Sequence, residues 1–100
     1  MNTKEEIYRA IVGYVAEKIK NTNAETYVHY LWQRAMNNKQ NMPAALEHIV
    51  RDAQDDFCRD NNITDNELYE QGLFIDTDIV IAEALDMLDE GDRIETYFVN

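Results

Sequence analysis

One proline, three glycines and one cysteine are all that the chain contains of those types among its 100 residues, and each shortage excludes something. So few turn formers disfavour a β-sandwich or barrel, whose short strands need a turn about every ten residues. Cys58 stands alone, so no internal disulfide can form. No apolar run approaches the roughly 20 residues that a membrane-spanning helix needs. No charged-then-apolar leader occupies residues 1–14, so a cytoplasmic protein is expected. Bases are scarce as well: nine Lys and Arg stand against twenty Asp and Glu, a formal charge of −11. A surface of that sign is repelled by anionic lipid and by phosphate backbones, so neither a membrane nor direct nucleic-acid binding is expected.

What is present is unevenly placed. Residues 1–50 carry five acids and six bases and are near neutral; residues 51–100 carry fifteen acids and only Arg51, Arg59 and Arg93. Apolar residues make up 45%, enough for one core in one domain, and far from the composition of a disordered acidic tail.

Helical spacing recurs along most of the chain. Thr3 and Glu6 have the spacing of a capping box, followed by Ile7, Ile11, Tyr14, Val15 and Ile19 on one stripe; a helix is expected over Lys4–Lys20. Asn23 is a candidate N-cap for a second helix, Ala24–Met36. Its Tyr27, Val28, Tyr30, Leu31, Trp32, Ala35 and Met36 wrap more than half its circumference, which predicts a central position. Pro43 suits the first turn of a third helix, with Leu46, Ile49, Val50, Ala53 and Phe57 as its buried stripe. Glu47, Arg51, Asp55 and Arg59 form an alternating ladder on that helix, beside a row of Asp52, Asp56 and Asp60 with no base in it. Thr64 and Glu67 mark the start of a short fourth helix that Gly72 can end in a left-handed conformation. A fifth helix is expected from Asp78 to Glu90, stopping at Gly91. Leu73–Ile75 and Ile94–Val99 read as a small two-stranded β element. The expectation is an all-α domain of four to five short helices over residues 1–100, with that β element as an optional addition.

Local physics leaves the fifth helix unexplained. Between Asp78 and Glu90 it carries no Lys or Arg, and Glu83, Asp86, Asp89 and Glu90 share its outer side. Like charges three or four residues apart each cost about 0.2–0.5 kcal/mol, and acids at a helix C-terminus oppose the macrodipole. Either solubility tolerates this face or something positive meets it. Carboxylates four residues apart rise about 6 Å along a helix, a spacing that can imitate phosphates in a Lys/Arg groove.

Reactive constellations are missing. Cys58 and His48 are ten positions apart on one helix, too far for a thiolate–imidazole pair. Glu25 and His29 offer two metal ligands without a matching second pair. The stretch from Asp60 to Gln71 departs from a calcium loop, with Asp65 where Gly is required and Gln71 where Glu is required. No enzyme, cofactor or metal is therefore expected.

These readings lead to a non-enzymatic acidic protein–protein interaction module. Its partner-binding residues are expected to be Glu83, Asp86, Asp89 and Glu90, helped by Asp52, Asp56 and Asp60, gathered on one side. The expected partner is a basic, nucleic-acid-binding protein, by analogy of charge and size with small phage or mobile-element inhibitors of the anti-restriction and anti-CRISPR type. The alternative is a homo-oligomer, a homodimer for example, whose acidity serves only solubility.

Overall fold

The computed structural model describes the backbone of residues 3–39, 41–73 and 75–99, and side chains within those stretches as far as residue 89. Five helices follow one another: α1 (Lys4–Asn21), α2 (Glu25–Asn37), α3 (Ala44–Asn61), α4 (Asp65–Glu70) and α5 (Thr77–Val99). The protein is all-α.

The ends of these helices follow local chemistry. Thr3 caps α1, its hydroxyl accepting from the Glu6 amide at 3.1 Å, and Lys18 and Lys20 in the last turn suit the negative end of the dipole. Thr64 caps α4 in the same way, accepting from the Glu67 amide at 3.2 Å. Gly72, at φ +73°, follows the α4 C-cap in the left-handed region expected of it. Asn62 ends α3 with the same handedness, at φ 55° and ψ 44°. Two boundaries differ from expectation. Asn23 is not the cap of α2; Ala24 holds that position without a side-chain bond, and Asn23 instead takes φ +53° to turn the chain between α1 and α2. Asparagine reaches that region more cheaply than most residues, so its backbone rather than its side chain is used. Pro43 sits one position before the helix, as the N-cap of α3.

The larger correction concerns α5. It passes through Gly91 and continues to Val99, where a stop and then a strand were expected. Glycine inside a helix costs only about 1 kcal/mol relative to alanine, and a helix already nucleated on a buried face propagates across it. Phe74, within the other expected strand, lies outside the described residues. No strand occurs among the described residues.

Packing places α1 at the centre, with α3 and α5 both against it. Its Tyr14 meets Asp60 and its Lys18 meets Asp56, so α1 and α3 run antiparallel. One buried cluster joins Val15 and Ile19 of α1 to Val28 of α2, Leu46 and Val50 of α3, and Val80, Ile81, Ala84 and Leu85 of α5. A second joins Ile7, Ile11, Phe57, Cys58, Leu68 and Leu73, and seats α4. Tyr14 stands edge-on to Phe57, with ring centroids 5.6 Å apart. The expected centrality of α2 does not hold. Only Val28 and Ala35 of α2 are buried, while Tyr27, Tyr30 and Met36 are exposed. Among the described residues, no helix is long and apolar enough to cross a membrane.

Candidate interaction surface

The row Asp52, Asp56 and Asp60 lies on the flank of α3 that turns towards α1, and two of its members are already engaged. Asp56 Oδ2 is 2.9 Å from Lys18 Nζ, and Asp56 Oδ1 is 3.4 Å from the Arg59 guanidinium. The hydrogen bond from Lys18, aided by its charge, holds the Asp56 carboxyl below the usual carboxylate range. Asp60 Oδ2 accepts the Tyr14 hydroxyl at 2.8 Å, and Asp60 Oδ1 lies 3.5 Å from Arg59 Nε. That hydrogen bond, more than burial, raises the Tyr14 phenol above its ordinary pKa. Arg59 therefore turns to Asp56 and Asp60 rather than along the expected ladder. The row that looks base-free in sequence receives Arg59 from its own helix and Lys18 from α1, the latter a contact between segments far apart in the chain. Asp52 is exposed, and no ion pair reaches it among the described residues.

On α5, Glu83 and Asp86 are exposed, Asp89 is half-buried, and the Glu90 side chain lies outside the described residues. The Glu83 carboxylate of α5 lies near enough to Tyr8 of α1 to act on its phenol. Burial first, and then this carboxylate, push the Tyr8 phenol up to about 12. Tyr8 and Tyr14 are six residues apart, about 120° around α1. Asp56 and Asp60 on one side and Glu83 on the other thus approach different flanks of α1. Asp56 and Asp60 therefore do not share a face with Glu83.

Sequence reasoning also missed two apolar members of the α5 face. Ile79 and Met87 are 49% and 44% exposed and lie one turn to either side of Glu83. The helical phase carries the signal: Ile79, Glu83 and Met87 are spaced by four, on the same side as Asp86.

The remaining candidate groups are placed without forming a reactive site. Cys58 is buried, and its thiol points at Asp65 Oδ1, 3.5 Å away. Burial and then the Asp65 carboxylate push its pKa up to about 11, the opposite of what a nucleophilic thiolate needs. His48 lines a separate cleft of about 290 Å³ with Glu47, Arg51, Gln54, Ile75 and Thr77. It is ten positions from Cys58 on α3, about 15 Å along the axis. Among the described residues, no three His, Cys, Asp or Glu side chains converge as metal ligands would.

Fold and surface together define a small all-α protein with an acidic helical face. No protein-family profile, curated protein or solved structure matches the chain.

Proposed function

We propose that the protein is a non-enzymatic interaction module that presents the outer face of α5 to a basic, nucleic-acid-binding surface on a partner protein. The observation that carries this reading is the contrast in neutralisation. Asp56 and Asp60 have their cations and donors within the fold, whereas no ion pair reaches Glu83 or Asp86 among the described residues. The stretch from Thr77 to Asp92 supplies no Lys or Arg of its own. An uncompensated row on a continuous helix is destabilising in isolation, and a cationic groove would relieve it. In this reading Glu83, Asp86 and Glu90 contribute charge at helical intervals. The biological form would be an inhibitor that competes with DNA or RNA, of the anti-restriction or anti-CRISPR type.

The test begins with capture from nuclease-treated bacterial lysate at low and at high salt. A nucleic-acid-binding protein should be retained at low salt, released at high salt and displaced by added DNA or RNA. Reversing Glu83, Asp86 and Glu90 to Lys should then abolish its retention while preserving or raising the melting temperature. Retention by the triple variant at low salt would sink the reading.

A further inference from the structure

An exposed flank of α2, beside its buried edge, has a composition unlike the rest of the molecule. Tyr27 and Tyr30 are 59% and 57% exposed, Leu31 beside them is half-buried with its inner part packed on the core, and Arg34 is exposed. Seven residues bring a helix almost back into phase, so Tyr27 and Arg34 lie on one line, about 10 Å apart along the axis. Tyr30 and Leu31 flank that line on either side. Glu25, the only acid of α2, falls about 200° from Tyr27, on the opposite side. Arg34 makes no ion pair among the described residues; its Nη1 lies 3.5 Å from the Tyr30 hydroxyl of its own helix.

This pattern is complementary to itself. A two-fold contact requires every interaction to occur twice, with residue i meeting j and j meeting i. When α2 is laid antiparallel on a second α2 about the midpoint between Tyr30 and Leu31, Tyr27 of each copy falls opposite Arg34 of the other. Tyr30 of each falls opposite Leu31 of the other. Two guanidinium groups then lie over two phenol rings, an attraction between cation and aromatic face that contributes at exposed sites and more where water is excluded. The charge distribution selects the same face. The near-neutral half of the chain carries α2, so two molecules of charge −11 can meet there with the fewest carboxylates between them. We infer that this α2 face is the docking surface for a second copy of the chain, joined two-fold and antiparallel through Tyr27, Tyr30, Leu31 and Arg34. The inference does not depend on the α5 reading, and the two have opposite salt signatures. Salt weakens an acidic face on a basic partner, but it screens the repulsion between two like-charged copies and tightens the dimer.

Sedimentation equilibrium on the whole chain, from micromolar to millimolar concentration at low and at high salt, tests the inference. The mass should rise from 11.7 kDa towards twice that value, and at lower concentration when salt is high. Arg34→Glu should weaken association by about tenfold or more, as loss of an interface anchor does. The double swap Tyr27→Arg with Arg34→Glu should restore it, because each new arginine faces a new glutamate across the two-fold. All these positions are exposed, so the helical circular dichroism of the variants should match that of the parent. A monomer mass throughout would overturn the inference. A double variant as weak as Arg34→Glu alone would overturn it equally.

Discussion

On one flank of α1, Asp56 takes the Lys18 ammonium at 2.9 Å and Asp60 takes the Tyr14 hydroxyl at 2.8 Å. On the other, Glu83 lies near the Tyr8 phenol without an ion pair among the described residues, and Asp86 is exposed. The residue type is the same, but its use differs. At the α1–α3 seam, carboxylates fasten two helices whose apolar faces already meet. Along α5 they are displayed. Net charge counted from composition merges these two uses, and the number of acids open to a partner is smaller than the formal charge suggests.

The comparison can be broken most severely at the seam. Phe57 is fully buried there against Tyr14, and Phe57→Ala should cost about 3–5 kcal/mol in urea unfolding by leaving a cavity between α1 and α3. Alkaline titration probes both flanks at once. The Cys58 and Tyr8 pKa values are raised on folding, to about 11 and about 12. Raised values mean that the folded state holds these protons more tightly, so the associated stability is fully present below the unfolded pKa values. It is lost as pH climbs through about 9 to 12. Urea midpoints measured over that range should fall, and Tyr8→Phe should flatten the upper part of the fall while Cys58→Ser flattens the lower.

A smaller change sharpens the comparison. Tyr14→Phe keeps the ring but removes the bond to Asp60, and should lower the melting temperature by about 2–5 °C. Asp60→Asn on that background should add little, since the Tyr14 bond is already gone and the remaining pair with Arg59 is solvent-exposed. The smallest effect is expected on the displayed side. Glu83→Lys with Asp86→Lys should leave stability unchanged or raise it by about 0.2–0.5 kcal/mol per relieved pair. A clear loss of stability would show that the α5 carboxylates are fastenings too, and would erase the distinction between the flanks.

Much of what depends on residues three or four apart was legible in the sequence. The caps at Thr3 and Thr64, the left-handed Gly72 and the buried stripes of α1 and α3 all stand where their spacing places them. Contacts across the chain were not. The Tyr14–Asp60 bond spans 46 residues, and nothing near Asp60 announces its partner. The position of α2 was misread for a related reason. A wide apolar circumference shows that a helix has much to bury, but not whether its neighbours suffice to bury it. Here α1, α3 and α5 cover Val28 and Ala35 and leave two tyrosines outside. Gly91 was weighed as a local stop, although the buried face before it had already fixed the helix. The candidate site was half legible: the α5 acids could be grouped by phase, but the engagement of Asp56 and Asp60 depended on helix pairing.

The central place of α1 also bears on how the chain is made. Its apolar face rests partly on α5, and about 55 residues lie between the end of one helix and the start of the other. At ribosomal speeds of roughly 5–20 residues per second, that gap takes several seconds to synthesise. During that interval α3 can cover one flank of α1, but Val12, Val15 and Ala16 lack their α5 partners. The nascent chain therefore carries an open apolar strip until α5 has been made.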